Sequence, residues 1–335
     1  MTSSPTAGTD AIARAYGLGE IRAVRYLANG ILNRNWRLET ERGVFALKEL
    51  DELSPEAARQ SLRLMPKLAA AGVPVVSAVP SLSGAVVVEI DGGAYYLAPW
   101  VEGGHPRGDE MDPGRSFHMG AVIGRIHRAL ADPVMGLRTP ARPEYPVADP
   151  GKARARIQEY LALIEARPEP DEFDRAVVPL LHERLELLAA HTVSRPEFAT
   201  YEPYGWIHGD CQNWNLLWQG DRIAAVLDWD RLRVNAYGEE IARAAMYQCV
   251  LPSGRVDLDN VRALIAGYRT ESAIGADALV EAARHRWWRM ASSVWHLKYH
   301  YDKGTGSADE ILFSDERLLR WWTANLDEVE AAFAG

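Results

Sequence analysis

The sequence predicts an α+β protein with two unequal parts: a small antiparallel β-sheet carrying one main helix, and a larger, mostly helical part. Up to about residue 101, short β-branched and aromatic runs alternate with turn residues, which is typical of strands. Beyond Gly104 the apolar spacing becomes mostly helical. A chain of 335 residues is also longer than one ordinary core requires, so two parts are expected.

The predicted sheet opens with strands at 21–27, 33–40 and 44–50, and residues 41–43 form the turn between the last two. The link between the first two strands contains Gly30 and the asparagines Asn29 and Asn33. These residue types tolerate the backbone angles of a tight loop, which suits a loop that covers a phosphate.

A helix is predicted to follow the third strand. Ser54 is a suitable N-cap, and Pro55 and Glu56 suit the first turn. We expect this helix to run to about residue 71 with a kink at Pro66. Strands at 85–90 and 94–101 then complete a sheet of about five strands.

The larger part is predicted to be helical apart from one hairpin and a surface loop at 137–152. The hairpin consists of strands at 215–218 and 223–227, on either side of Gly220 and Asp221. The helices are expected at 116–131, 151–167, 174–191, 239–250, 259–270, 277–303 and 309–333.

Composition narrows the class of protein. Hydrophobic residues make up 47% and charged residues 25% of the chain, as in an average globular protein. The net charge of −9 provides no basic field for a nucleic acid. Cys211 and Cys249 lie far apart without a neighbouring metal-ligand pattern, so reduced thiols are expected. We find no export signal or membrane-spanning run, and we expect a cytoplasmic enzyme without a membrane partner.

The segment that carries chemistry is Ile207-His208-Gly209-Asp210-Cys211-Gln212-Asn213-Trp214-Asn215, with Asp228 following at the end of an apolar strand. Phosphoryl transfer needs a carboxylate that orients the attacking hydroxyl and accepts its proton, and oxygen ligands for magnesium. Asp210 suits the first task. Asn215, five residues later, and Asp228 suit the second, because Mg²⁺ prefers carboxylate and amide oxygens.

This motif resembles that of the aminoglycoside phosphotransferase and choline kinase superfamily, the small-molecule relatives of protein kinases: His-Gly-Asp, four residues, Asn, and then a strand that ends in Asp. The resemblance covers nearly the whole chain. It implies a two-lobed protein-kinase-like fold, with a nucleotide-binding lobe at 1–99, a hinge at 100–104, and a catalytic and substrate-binding lobe at 105–335. ATP and Mg²⁺ are the implied cofactors.

The resemblance also assigns roles to individual residues. Asp210 is the implied base, and Asn215 and Asp228 are the implied magnesium ligands. Lys48 would hold the α- and β-phosphates, with Glu56 as the nearest acid that could pair with it on the small-lobe helix. Gly30, Asn33 and Asn35 would belong to a loop over the nucleotide, and the main chain of Ala98 to Trp100 would contact adenine. His208 would pack beneath the metal loop, and Glu240 would anchor that loop.

A further group of residues is a candidate for contact with the acceptor molecule. Trp295, Tyr299 and Asp302 are spaced four and three apart, so they share one face of a predicted helix. The resemblance places the acceptor pocket beside such C-terminal helices, and aromatic rings would stack on a sugar or a base, or bind a cation. Asp230 is either a further metal ligand, a substrate contact or a solvated acid. Cys211 is expected to fill a small apolar gap.

The predicted function is ATP- and Mg²⁺-dependent transfer of phosphate to a hydroxyl of a small molecule. We expect an antibiotic or related natural product as the acceptor, and a role in resistance or self-protection. We expect the protein to be a monomer or homodimer. A metabolic kinase of homoserine or choline type is the close alternative. A nucleotide-binding pseudokinase, and a metal-dependent hydrolase built on His208, Asp210 and Asp228, are alternatives from other classes.

Overall fold

The computed structural model of the chain describes residues 4–27, 34–51, 54–144, 147–196 and 202–335. By internal contacts the chain divides into two compact units. The first unit comprises 1–106, 121–139 and 206–233, and the second comprises 107–120, 140–205 and 234–335. This grouping assigns 206–233 to the same unit as the N-terminal sheet, whereas the predicted boundary at 100–104 assigns it to the other part. The functional division into a nucleotide lobe and a substrate lobe stays a prediction.

The first unit contains the predicted five-stranded sheet. The strands are β1 Ile21–Leu27, β2 Arg34–Thr40, β3 Gly43–Glu49, β4 Val88–Ile90 and β5 Gly93–Pro99. Neighbouring strands are antiparallel, in the order β1-β2-β3-β5-β4. The β2–β3 turn is closed by Thr40, whose Oγ1 donates to the Gly43 carbonyl at 2.9 Å.

A short helix that the sequence pattern did not reveal, α1 (Thr9–Tyr16), packs in the core of the sheet. Eight residues are too few for a clear helical period, and its N-cap is Gly8, which makes no side-chain capping bond. Ile12 and Tyr16 are buried together with Trp36 and Leu97 of the sheet. Burial of these side chains removes a large apolar area from water and fixes β2 and β5.

The predicted helix after β3 is confirmed at its start and is broken in the middle. Ser54 Oγ accepts from the Ala57 N–H at 3.3 Å, as an N-cap does. The first helix, α2, spans Pro55–Leu62, and the second, α3, spans Met65–Ala70. Pro66 lies in the first turn of α3, where its missing N–H costs nothing, so the proline begins a new helix instead of kinking one.

The segment that carries the candidate catalytic residues forms a turn and a hairpin, both inside the first unit. Residues 213–215 make one 3₁₀ turn, and β7 (Leu216–Gln219) pairs antiparallel with β8 (Arg222–Val226). The predicted hairpin is thereby confirmed. Two further short strands, β6 (Tyr204–Ile207) and β9 (Arg233–Ala236), pair with each other and precede and follow this segment in the chain.

Helices account for most of the remaining chain, as the spacing of apolar residues predicts. The long predicted helix at 277–303 is wrong in its second half, because the helix ends at Ser292 and is followed by a short helical turn and a π-helix. No helix among the described residues is both long and apolar enough to cross a bilayer. The helices are α4 Pro113–Ala131, α5 Pro150–Glu165, α6 Glu172–His191, α7 Tyr237–Gln248, α8 Leu258–Arg269, α9 Ala276–Ser292, α10 Trp295–Leu297, the π-helix Lys298–Asp302, α11 Asp309–Ala324 and α12 Leu326–Ala334.

Candidate active site

Lys48 of β3 contacts two carboxylates from the segment that follows β8. Its Nζ lies 2.9 Å from Asp228 Oδ1 and 2.6 Å from Asp230 Oδ2. Only 8% of the lysine side chain is exposed, against 40% for Asp228 and 15% for Asp230. Asp228 is thus the member of the group that remains most accessible to a ligand.

The three charges shift one another's pKa values. Burial alone would lower the pKa of Lys48, but the neighbouring side chains of Tyr96, Asp228 and Asp230 raise it above its ordinary value. Burial would raise the pKa of Asp228, yet the lysine charge and hydrogen bond lower it. The pKa of Asp230 is raised, by burial and by the charge of Asp228, against the opposing effect of Lys48. The lysine is therefore charged at neutral pH, and Asp228 is ionised.

The backbone at Asp228 is unusual. Its φ of 58° and ψ of 70° lie in the left-handed region, which residues with a side chain rarely adopt. Non-glycine residues in this region are concentrated at functional sites, because the surrounding structure must enforce them. The preceding Leu227 N–H donates to the Asn215 carbonyl at 2.8 Å, so the strand end is tied to the turn that carries Asn215.

Asp210 and Asn215 contact each other directly. Asn215 Nδ2 donates to the Asp210 carbonyl at 2.9 Å and to Asp210 Oδ2 at 3.1 Å. Both bonds use the amide NH₂ of Asn215, which leaves its Oδ1 as an acceptor for a cation. An amide oxygen and the accessible carboxylate of Asp228 are hard oxygen donors of the kind that Mg²⁺ prefers, so the chemistry of these residues fits the implied metal.

His208 is buried beneath this group with both ring nitrogens engaged. Nε2 donates to the Leu227 carbonyl at 2.9 Å, and Nδ1 accepts from the Asp210 N–H at 3.2 Å. Its ring lies edge-on to Trp229, with centroids 4.6 Å apart. These contacts suit a packing and tethering role for His208 and leave its ring nitrogens no free position for proton transfer.

Glu56 lies away from Lys48. Its side chain is 61% exposed, and it forms an ion pair with Arg59 at 3.7 Å. Helix α2 instead packs against the 229–231 turn, and Asp230 of that turn supplies the second carboxylate on Lys48. Asp230 was not predicted as a partner of Lys48, because the resemblance implies a partner acid on the small-lobe helix.

The predicted nucleotide contacts are partly described. Gly30 and Asn33 lie outside the described residues. Asn35 is paired with Lys48 across β2 and β3. Ala98 pairs with Ala46, and the Trp100 N–H donates to the Val44 carbonyl at 3.0 Å, so this amide is already used within the sheet.

In the second unit, the predicted acceptor residues are held in different ways. Trp295 is 40% exposed and its ring contacts that of Tyr299, while Lys303 covers the Tyr299 ring with its Nζ 4.4 Å from the centroid. Asp302 forms an ion pair with Arg156 at 3.0 Å. Because α9 ends earlier than predicted, these three residues do not share one α-helical face. Glu240 is buried on α7.

Two residues near the catalytic turn were missed by sequence reasoning. His105 Nδ1 lies 2.9 Å from the Asn213 carbonyl and 3.0 Å from that of Leu216. Gly103 approaches the hairpin so closely that an added Cβ would lie 2.7 Å from the Trp218 carbonyl. The Gly103-Gly104 pair was the available signal, since adjacent glycines often mark a close backbone approach.

A family model described as the phosphotransferase enzyme family matches residues 23–274. A homoserine kinase from Methylobacillus flagellatus is 27% identical over 256 residues, which cover 76% of this chain and 72% of the relative.

Solved structures show the same fold. A spectinomycin phosphotransferase bound to ADP and spectinomycin superposes with a TM-score of 0.65 at 13% identity, covering 97% of this chain and 96% of the other. An amicoumacin kinase bound to AMP-PNP and Ca²⁺ gives a TM-score of 0.60 at 19% identity, covering 96% and 92%. The predicted fold class is thereby confirmed.

Proposed function

Because the chain belongs to the phosphotransferase enzyme family, we propose that it transfers the γ-phosphate of ATP, with Mg²⁺, to a hydroxyl of a small molecule. The predicted class of enzyme, a small-molecule kinase, is confirmed by this membership. The observation that carries the proposal is the contact of Lys48 with Asp228 at 2.9 Å, next to a tethered Asp210–Asn215 pair. This group combines a cation for phosphates, a candidate base and a hard donor set.

In the proposed reaction, Lys48 neutralises negative charge on the α- and β-phosphates. Asn215 Oδ1 and the Asp228 carboxylate would hold Mg²⁺, which neutralises phosphate charge when bound. Asp210 orients the acceptor hydroxyl and takes its proton as the oxygen attacks the γ-phosphorus, so that the γ-phosphate leaves ADP and forms a phosphate ester. The bond from Asn215 Nδ2 to Asp210 Oδ2 supports this step, because it fixes the orientation of the carboxylate.

The nucleotide loop and the adenine contact remain part of the proposal. Asn35 and the main chain of Ala98 and Trp100 are the described residues assigned to them. The ADP and AMP-PNP complexes of the structural neighbours support nucleotide use with a divalent metal. We further propose a cytoplasmic enzyme that acts as a monomer or homodimer.

Two kinds of acceptor are supported by different observations. The homoserine kinase relative supports a small amino alcohol. The exposed ring of Trp295 supports a ring-bearing natural product such as an antibiotic, and the spectinomycin and amicoumacin kinases share the fold. Asp302 is a weaker candidate for acceptor binding than Trp295 and Tyr299, since its carboxylate is paired with Arg156.

The experiment is an ADP-release assay with Mg·ATP against a panel of antibiotics, homoserine, choline and other amino alcohols. Mass spectrometry of each product would detect the added phosphate. Turnover confined to amino alcohols would contradict the antibiotic assignment, and turnover confined to antibiotics would contradict the metabolic one. Nucleotide binding without turnover on a broad panel would favour a pseudokinase.

A further inference from the structure

The segment that follows β5 is attached to the catalytic hairpin within the first unit. Gly104 and Trp218 exchange two backbone hydrogen bonds, each of 2.9 Å. Gln219 Nε2 donates to the Glu102 carbonyl at 2.7 Å. The absence of a side chain at Gly103 permits this approach, because a Cβ there would also meet Leu217 Cγ at 2.7 Å.

His105 is the next residue, and it reaches the turn that carries Asn215. Its Nδ1 lies 2.9 Å from the Asn213 carbonyl and 3.0 Å from the Leu216 carbonyl. Both partners are acceptors, so Nδ1 must carry the proton and share it between them. The two carbonyls belong to residues on either side of Asn215, one of which immediately follows it.

The Asn215 side chain depends on the shape of this turn. Its amide reaches Asp210 through two hydrogen bonds, and its backbone N–H donates to the Gln212 carbonyl at 2.9 Å. Trp214, between the two asparagines, lies against the His105 ring with centroids 5.4 Å apart. The imidazole is thus held by a ring on one side and by two carbonyls at Nδ1.

We propose that His105 is a positioning residue, which fixes the 213–216 backbone so that Asn215 presents its oxygen to the metal and its amide to Asp210. The role rests on the proposed function, because it acts through a metal ligand of the phosphotransfer site. Residues that orient metal ligands typically change metal affinity or activity about 10–100-fold when substituted. His105 itself touches neither substrate nor metal in this role.

The test compares three substitutions of His105 with one control variant. His105→Ala removes the donor. His105→Asn restores an N–H group near the position of Nδ1, whereas His105→Gln places its amide near the position of Nε2. His182→Ala, at an exposed position on α6, is the control for loss of a histidine.

Two quantities are measured for each protein: the affinity for Mn²⁺ in the presence of ADP, by electron paramagnetic resonance, and kcat with its dependence on Mg²⁺. We expect His105→Ala and His105→Gln to weaken Mn²⁺ binding and lower kcat about 10-fold or more. His105→Asn should recover most of the Mn²⁺ affinity and most of kcat. His182→Ala should match the wild type in both quantities. The KM for ATP should change less than the metal dependence.

Circular dichroism and thermal unfolding report whether each variant is folded. If His105→Ala does not fold, the positioning role is tested by comparing the Mn²⁺ affinity and kcat of His105→Asn with those of His105→Gln. Equal Mn²⁺ affinity in all variants, or no advantage of Asn over Gln, would overturn the positioning role. A wild-type protein that neither binds Mn²⁺ with ADP nor transfers phosphate would contradict the proposed function instead.

Discussion

At the scale of single residues, Lys48 combines an observed contact with two carboxylates and a proposed contact with nucleotide. Its ammonium group compensates two carboxylates, of which Asp230 has its pKa raised by burial and by the charge of Asp228. The same group is assigned to the phosphates of ATP. Asp228 and Asp230 thus hold the lysine in place before nucleotide binds, and a bound polyphosphate would compete with them for its charge.

Replacement of Lys48 by methionine is expected to destabilise the protein most at neutral pH. Without the ammonium group, Asp228 and Asp230 repel each other, and the pKa of each carboxyl rises above its ordinary value of about 4. A carboxyl with a raised pKa in the folded state weakens folding when ionised, and this cost disappears as the pH falls through that pKa. We expect a loss of about 2 kcal/mol at pH 7, between the values of exposed and buried pairs, and a smaller loss at pH 5.

Urea unfolding of the wild type and of Lys48→Met at both pH values measures this difference. Lys152→Met, at an exposed position of α5, is the matched control and should change stability little at either pH. An equal loss at pH 7 and pH 5 for Lys48→Met would show that the two acids are not the source of the effect.

At the scale of elements, Arg184 of α6 explains why α9 ends at Ser292. Its Nη1 donates to the carbonyls of Met290, Ala291 and Ser293, with distances of 3.1 Å for Ala291 and 2.9 Å for Ser293. Its Nε and Nη2 donate to Glu316 of α11. Carbonyls that a longer helix would have used are thus satisfied by a buried side chain.

We expect Arg184→Met to cost about 3–5 kcal/mol, because it leaves Glu316 without its cation and three carbonyls without a donor. Arg320→Met is the matched control, since Arg320 pairs with Glu183 at a surface where both side chains are more than half exposed. That change should cost less than about 1 kcal/mol. Unfolding in guanidinium chloride measures the free energy of unfolding of each variant relative to the wild type. A small loss for Arg184→Met would contradict its role at the end of α9.

The strands and most helices were predictable because their signals are local. The β2–β3 hairpin, the cap at Ser54 and the hairpin after Asn215 all follow from turn and capping residues. The end of α9 was not predictable, since Arg184 lies about a hundred residues earlier in the chain. Helix α1 was missed because it is short and is stabilised by burial against the sheet.

At the scale of the whole molecule, the family membership covers residues 23–274, which include every residue assigned to phosphate, base and metal. The spacing of Asp210, Asn215 and Asp228 along the chain predicted that these three residues act together, because phosphoryl transfer needs a base and metal ligands at one site. The partnership of Lys48 with Asp230 and the contact of His105 depend on tertiary structure, so spacing could not reveal them.

We propose that Asp210 serves the transfer step and not nucleotide binding. The most direct test measures Mg·ATP binding by calorimetry and phosphate transfer to the best acceptor, for the wild type and for Asp210→Asn. We predict that the variant binds Mg·ATP with nearly unchanged affinity and transfers phosphate about 10²–10⁴-fold more slowly, as expected for loss of a general base. Loss of nucleotide binding, or transfer at the wild-type rate, would contradict the claim.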